Sequence, residues 1–207
     1  MEPDVIVYIV DDDEAARHSL GMLMESVEIT AKSYSSAMAF LEDFDSTRPG
    51  CLVLDIRMPR MSGLDLQQEL NKWGITIPVI FITGHGDVPL AVRAMKDGAM
   101  DFFEKPFRDH DLLDSISHAL AKSVSAMREE KSHASFLELA DNLSPREKEV
   151  MAMLVAGKCS KTIASLLGIS PKTVHVHRGH IMEKMGVRSV VELVHLATSN
   201  KPKGVTC

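Results

Sequence analysis

Short apolar runs alternate with helix-like segments as far as residue 107, and this alternation constrains the fold more than any other feature. The runs cover residues 5–10, 29–34, 51–54, 79–82 and 100–103, and amphipathic stretches lie near residues 14–27, 36–44, 63–73 and 88–97. Apolar strands that alternate with helices build parallel β-α-β units, whose sheet is covered on both faces. The sequence therefore predicts an α/β domain with an open parallel sheet.

The rest of the chain has an all-helical pattern. Between residues 109 and 139 no Gly or Pro occurs, and apolar residues recur three or four apart, which predicts a long helix with a break at its weakest stretch, residues 132–135. Ser144, Pro145 and Glu147 form the pattern of a capped helix start. Four short helices are predicted, over residues 145–156, 160–167, 171–185 and 189–198. The second and third flank a tight turn and form a helix-turn-helix candidate.

Charge is distributed unevenly along the chain. Residues 1–120 hold 21 acidic and 10 basic residues, whereas residues 144–207 hold 4 acidic and 10 basic residues. This asymmetry predicts an acidic domain joined to a basic one, and the basic domain favours a polyanion as its partner. A solvated basic surface with no partner is the alternative.

Neither the apolar runs nor the cysteines indicate a membrane or secreted protein. The runs are shorter than a bilayer span, and the acidic N-terminus lacks the basic region of a signal peptide. Cys51, Cys159 and Cys207 lie far apart with no CxxC pair, so free thiols are expected. We expect a cytoplasmic protein with no membrane partner.

Polar residues follow four of the five predicted strands. They are Asp11, Asp12 and Asp13 after the first, Asp55 after the third, Thr83 after the fourth and Lys105 after the fifth. Because ligands bind beyond the carboxyl ends of parallel strands, these side chains should converge. Crowded carboxylates favour a bound cation, and Mg²⁺ suits an oxygen-only site. The simpler alternative is that residues 11–13 only cap a helix and Asp55 begins a turn.

Such a pocket has the chemistry for accepting a phosphoryl group. The carboxylate of Asp55 can act as a nucleophile and form an acyl phosphate, with the cation neutralising the incoming phosphate. Lys105 would pair with the phosphoryl oxygens, and Thr83 would donate a hydrogen bond. A phosphatase that turns over through an Asp-x-Asp motif is disfavoured, because the second acid of that motif is replaced by Arg57, and no enzyme is predicted.

Four motifs in this region resemble the receiver domain of two-component response regulators. They are the segments 9–13 (IVDDD), 54–63 (LDIRMPRMSG), 83–87 (TGHGD) and 102–107 (FFEKPF). The resemblance implies a five-stranded sheet in the order 2-1-3-4-5 and phosphorylation of Asp55 by a sensor histidine kinase. It also implies Mg²⁺ bound by Asp12, Asp55 and the main-chain carbonyl of Arg57, with Asp11 acting through water. Thr83 and Phe102 match the switch positions of the family, and the bond between Lys105 and Pro106 would be cis.

The basic C-terminal region resembles the LuxR-type DNA-binding domain of the FixJ/NarL class. The resemblance is carried by the segments 143–147 (LSPRE), 163–164 (IA), 169–174 (ISPKTV) and 177–185. It implies an architecture of a receiver over residues 1–122, a helical linker over residues 123–142 and a DNA-binding domain over residues 143–207. The chain is also similar in size to a styrene-catabolism regulator of this class, although no motif identifies the genes that it regulates.

Helical spacing indicates which residues of the helix from Pro171 to Met185 face a DNA groove. Val174, Ile181 and Met185 fall on one apolar stripe that should face the core. The residues proposed to contact DNA are Lys161, Lys172, Thr173, His175, Val176, Arg178, Gly179 and Lys184. Lysine and arginine would fix the register on phosphates, whereas His175 and Val176 are better placed for base edges. Arg178 could instead lie against the domain body, and Gly179 could simply permit close approach.

Together these features predict a transcription activator that is controlled by phosphorylation. Its expected partners are a sensor histidine kinase, promoter double-stranded DNA, RNA polymerase and, when phosphorylated, a second copy of the chain. The alternative is a receiver that controls a protein-interaction module, with a protein partner bound by the helical domain. Salt-dependent binding of DNA would distinguish the two.

Overall fold

The computed structural model describes residues 4–84 and 88–199, and it divides the chain into two compact units, residues 1–127 and 128–207. The first unit contains a five-stranded parallel sheet in the order β2-β1-β3-β4-β5, as predicted. Its strands are β1 (Ile6–Val10), β2 (Ala31–Tyr34), β3 (Gly50–Asp55), β4 (Val79–Thr83) and β5 (Asp101–Glu104). Between them lie α1 (Glu14–Ser26), α2 (Ala37–Asp43), α3 (Gly63–Lys72) and α4 (Val88–Lys96).

Helices cover both faces of this sheet. Strands β1, β3 and β4 are buried along their whole length, which explains their uninterrupted apolar sequences. One face carries a core around Tyr8, Phe40 and Phe81, and the opposite face carries a second core around Ile9, Ile80 and Ile116. Since apolar cores occupy both faces of the sheet, the polar residues lie at its edge, where the carboxyl ends of the strands meet.

The long helix α5 (Asp109–Asp141) follows β5 and is continuous over 33 residues. The predicted break at residues 132–135 is therefore wrong. That stretch has no Gly or Pro to stop a helix, and serine and histidine cost little at exposed helical positions. Leu112, Ile116 and Leu120 pack on the sheet of the first unit, whereas Phe136 and Leu139 pack on the core of the second. The segment 123–142, predicted as a linker, is thus shared between the two units.

The second unit continues with four short helices, close to the predicted bounds. They are α6 (Pro145–Val155), α7 (Ser160–Leu167), α8 (Pro171–Lys184) and α9 (Val190–Ser199). Ser144 and Glu147 form the predicted capping box at the start of α6. The turn between α7 and α8 passes through Gly168 at a φ of 66°, a conformation that favours glycine.

Buried apolar residues of all four short helices form the core of the second unit. Val150 of α6, Ile163 of α7, Ile181 of α8 and Leu193 of α9 are completely buried there. Within the ranges 4–84 and 88–199, no helix is both long enough and apolar enough to cross a membrane.

Candidate functional site

Three charged side chains meet at the carboxyl edge of the sheet, as predicted from the strand ends. Asp11 follows β1, Asp55 ends β3, and Lys105 follows β5. The Lys105 ammonium lies 2.7 Å from Asp11 Oδ2 and 3.6 Å from Asp55 Oδ1. Both carboxylates are largely buried, with side chains 4% and 9% exposed. The lysine therefore bridges two acids that would otherwise repel each other.

The start of α1 shows that helix capping accounts for only one of the three consecutive aspartates. Asp13 is the N-cap, and its side chain accepts a hydrogen bond from the amide of Ala15 over 2.9 Å. Asp11 instead turns toward Lys105, and its Oδ1 accepts from the Asp13 amide over 2.9 Å. Asp12, between them, is exposed. Helix capping therefore explains the role of Asp13, but it does not explain why Asp11 and Asp55 lie in the pocket.

The backbone after β3 presents the Asp55 carboxylate at the edge of the sheet. The Arg57 amide donates to Asp55 Oδ2 over 2.6 Å, which fixes the side chain from one side. Gly63, at the start of α3, has no room for a side chain, because a Cβ there would lie 2.3 Å from the Asp55 carbonyl oxygen. The glycine of the segment 54–63 is therefore required for α3 to begin directly beneath the aspartate.

The electrostatics of the pocket raise the pKa of Asp55 above its ordinary value. Burial is the main cause, followed by the neighbouring charge of Asp11 and, more weakly, that of Asp12. The hydrogen bond from Arg57 and the charge of Lys105 act in the opposite direction. Three acids, Asp11, Asp12 and Asp55, stand against the single ammonium of Lys105 in these interactions, and this imbalance favours a cation.

The donors expected from the family resemblance are of the kind that magnesium binds. The side chain of Asp12, that of Asp55 and the main-chain carbonyl of Arg57 are hard donors, and Mg²⁺ commonly takes one or two carboxylates and keeps several waters. Within the described ranges, no group of three or more His, Cys, Asp or Glu side chains is arranged to hold a metal ion, and this includes the histidines of α8. A magnesium site with two direct carboxylates does not require such a group.

Thr83 and Phe102, the residues expected at the switch positions of the family, lie on β4 and β5. Thr83, the last residue of β4, is 1% exposed, and Phe102 of β5 is half-buried against the core. The bond between Lys105 and Pro106 is cis, as predicted. Residues 85–87 of the predicted segment 83–87 lie outside the described residues. Three large apolar side chains of α4 are exposed, namely Val88, Val92 and Met95.

One face of α8 is exposed and bears several of the proposed DNA contacts. Val174 and Ile181 are buried and Met185 is 2% exposed, as the apolar stripe predicted. Of the proposed DNA contacts on α8, six are exposed: Lys172, Thr173, His175, Val176, Gly179 and Lys184. A Cβ at Gly179 would meet no described atom within 4 Å. The Ser170 side chain caps the helix at the Thr173 amide, and within α8 no acid occupies the first turn.

Arg178 and Lys184, by contrast, have partners inside the second unit. Arg178 Nη1 donates to the Ser160 hydroxyl at the start of α7 over 3.1 Å. Lys184 donates to Glu147 Oε2 over 2.8 Å, and the Glu147 side chain is 5% exposed. The sequence reasoning did not find either partner, because neither is near in sequence. Lys161, in contrast, is exposed at the start of α7.

Comparisons with known proteins agree with both units. Residues 7–117 match the family model "response regulator receiver domain", and residues 141–197 match "bacterial regulatory proteins, luxR family". The chain is 47% identical over 196 residues to Response regulator protein TmoT of Ectopseudomonas mendocina, covering 94% of this chain and 89% of TmoT.

Two further comparisons cover nearly the whole length of both chains. The chain is 45% identical over 197 residues to Transcriptional regulatory protein FixJ of Azorhizobium caulinodans, covering 95% of this chain and 93% of FixJ. It is also similar to the solved structure of Response Regulator StyR, with a TM-score of 0.83 and 41% identity over 94% of this chain and 98% of that one. This chain therefore belongs to the response regulators of the FixJ class, transcriptional regulators that join a receiver domain to a LuxR-type DNA-binding domain.

Proposed function

We propose that Asp55 is the residue that accepts the phosphoryl group from a sensor histidine kinase. The observation that carries this proposal is the position of the Asp55 carboxylate at the end of β3, 3.6 Å from the Lys105 ammonium and with its other oxygen held by the Arg57 amide. Asp11, the other buried acid that contacts Lys105, already uses both carboxylate oxygens as hydrogen-bond acceptors.

The chemistry at Asp55 is a displacement at phosphorus. An oxygen of the carboxylate attacks the phosphorus of the kinase phosphohistidine, the P–N bond breaks, and the electron pair leaves with the imidazole. Lys105 can then move from Asp11 to the phosphoryl oxygens, since its ammonium already lies between the two acids. Thr83 donates its hydroxyl to the same group. Asp12, Asp55 and the Arg57 carbonyl, with Asp11 acting through water, would hold a magnesium ion, which would supply positive charge to neutralise the phosphate.

The proposed output is a dimer that binds promoter DNA. Phosphorylation would be sensed by Thr83 and by Phe102 on β5, and would change the surface formed by α4 and β5. That surface already exposes Val88, Val92 and Met95 at helical spacing, with exposed fractions of 75%, 46% and 47%. A second copy of the chain would cover this apolar face, as the family resemblance implies. RNA polymerase is the partner expected at the promoter.

The proposed DNA contacts fall into two groups on the second unit. Lys161 and Lys172 are exposed and supply phosphate contacts, whereas Thr173, His175, Val176 and Gly179 face the groove on α8. Arg178 is hydrogen-bonded to Ser160, so a contact between Arg178 and DNA would lie at the start of α7. Lys184 is held by Glu147, and this ion pair favours a role inside the domain over the phosphate contact expected from the sequence.

Labelling by a small phosphodonor tests the assignment of Asp55. Wild-type protein should be labelled by acetyl phosphate in the presence of Mg²⁺, and Asp55→Asn should lose the label while its circular dichroism stays unchanged. Asp114→Asn is the matched control, because it removes an acid from an exposed position on α5 of the same unit. Undiminished labelling of Asp55→Asn would overturn the assignment.

A further inference from the structure

The turn between β1 and α1 is closed by an arginine that the phosphoryl chemistry above does not use. Arg17, the fourth residue of α1, donates a hydrogen bond from Nη1 to the main-chain carbonyl of Asp11 over 2.8 Å. Arg17 is half-buried, and its guanidinium reaches back over the start of its own helix. This direction is the usual one for a long helical side chain, which points toward the helix N-terminus.

A cation at this place is unfavourable for the helix itself. The N-terminus of α1 carries the positive end of the helix dipole, which favours acids such as Glu14 and disfavours an arginine. A residue that breaks a local rule in this way usually serves a contact elsewhere. Here that contact is the carbonyl that lies between two acids of the pocket.

The hydrogen bond from Arg17 completes a set that holds every polar group of Asp11. The Asp11 amide donates to the Tyr34 carbonyl over 3.2 Å, and its carboxylate accepts from the Asp13 amide and from Lys105. The remaining group is the carbonyl oxygen, which belongs to the planar peptide that leads into Asp12. By fixing that oxygen, Arg17 fixes the plane from which the Asp12 side chain departs.

We propose that Arg17 is a positioning residue that orients the Asp12 carboxylate for binding the divalent cation. The proposal rests on the function proposed for Asp55, and it deepens the account of the same pocket. The guanidinium binds a carbonyl and not a carboxylate, so it leaves the carboxylate oxygens available. Its charge alone would repel a cation, so positioning and simple electrostatics predict opposite effects of removing it.

Magnesium titration calorimetry on the full chain distinguishes these effects. Arg17→Gln should bind Mg²⁺ about tenfold more weakly than the wild type, because residues that orient metal ligands commonly contribute 10- to 100-fold in affinity. The loss should persist at high salt, where charge effects are screened. Arg48→Gln is the matched control: it removes the same charge from an exposed ion pair with Asp4 and should stay within about twofold of the wild type.

A kinetic measurement separates positioning from general damage. With acetyl phosphate, the Mg²⁺ concentration for half-maximal labelling of Arg17→Gln should rise about tenfold, whereas its maximal rate should stay within about twofold of the wild type. Arg17→Lys keeps the charge without the planar fork and should lose about threefold in Mg²⁺ affinity.

Magnesium binding by Arg17→Gln that equals or exceeds that of the wild type would overturn the proposal. If Arg17→Gln does not fold, Arg17→Lys decides in its place, and unchanged affinity of that variant contradicts the proposal. Failure of the wild type to be labelled at Asp55 would instead contradict the proposed function. The calorimetric comparison of the variants would still test the role of Arg17, because it measures Mg²⁺ binding and not phosphorylation.

Discussion

Lys184, the last residue of α8, donates to the buried carboxylate of Glu147 in the first turn of α6 over 2.8 Å. The same carboxylate accepts from the Ser144 amide and closes the capping box. These contacts lower the pKa of Glu147 from 4.5 to about 2, with the hydrogen bond from Lys184 as the main cause. The ion pair therefore joins the end of α8 to the start of α6.

The first prediction concerns the acid stability of this unit. Glu147 has a lower pKa folded than unfolded, so its contribution to the free energy of unfolding is complete above pH 4.5 and is lost as pH falls toward 2. Because the Lys184 side chain is 39% exposed, solvent screens part of this effect, and we expect a loss on the order of 1 kcal/mol between about pH 6 and about pH 3. Hydrogen exchange of amides in α6 and α8, corrected for intrinsic rates, measures this loss.

Glu147→Gln is the matched variant for this measurement. Glutamine can keep the capping box but has no charge to titrate. The variant should be less stable than the wild type near neutral pH, and its protection in α6 and α8 should vary less with pH. An equal pH dependence in both proteins would show that Glu147 does not titrate as described.

The second prediction separates two lysines of the same helix. Lys172 is exposed at the start of α8, whereas Lys184 is bound to Glu147. Lys172→Ala should weaken specific and random duplexes about equally and lower the slope of log affinity against log salt by about one. Lys184→Ala should leave that slope unchanged and instead reduce the thermal stability of the second unit. Equal changes of slope for both variants would contradict this division.

The third prediction concerns base recognition by His175. Its exposed position on α8 favours a base edge over a phosphate, so His175→Ala should alter sequence preference. A single neutral imidazole contact is weaker than a bidentate arginine, and we expect a cost of about 1 kcal/mol, confined to one base pair. Binding to a set of duplexes with single substitutions measures the effect. A uniform loss across all duplexes would assign His175 to phosphate contact.

The fourth prediction concerns the apolar face of α4. Val92 is 46% exposed between Val88 and Met95, and burying it against a second copy would stabilise a dimer. Beryllofluoride with Mg²⁺, which mimics the acyl phosphate, should raise the dimer fraction of wild-type protein in sedimentation. Val92→Asp should remain monomeric, because a charge would be buried at the interface. Met22→Asp, at an exposed position of α1, is the control and should still dimerise.

The order of elements was readable from the sequence because each signal was local. Apolar runs predicted β1, β3 and β4, which are buried along their length, and the Ser144 capping box predicted the start of α6. The break expected at residues 132–135 did not occur. Weak helix propensity there is outweighed by the continuing α5 hydrogen bonds and by the packing of Phe136 and Leu139 farther along.

The contacts of individual side chains were harder to predict from the sequence. The convergence of Asp11, Asp55 and Lys105 could be predicted, because the carboxyl ends of parallel strands meet at one edge of the sheet. No local pattern links Lys184 to Glu147, which lies 37 residues away, and both lysines of α8 therefore received the same prediction. Arg17 also gave no signal, since its partner is a main-chain carbonyl and not a side chain.

The central claim is that the state of Asp55 controls DNA binding, and the affinity for a duplex that the protein has selected from a random library tests it most directly. Fluorescence anisotropy would compare wild-type protein and Asp55→Asn, each with and without beryllofluoride and Mg²⁺. We predict that beryllofluoride raises the affinity of the wild type about tenfold or more, a coupling of at least about 1.4 kcal/mol, and leaves Asp55→Asn unchanged. An unchanged affinity of the wild type, or an equal gain in Asp55→Asn, would contradict the account.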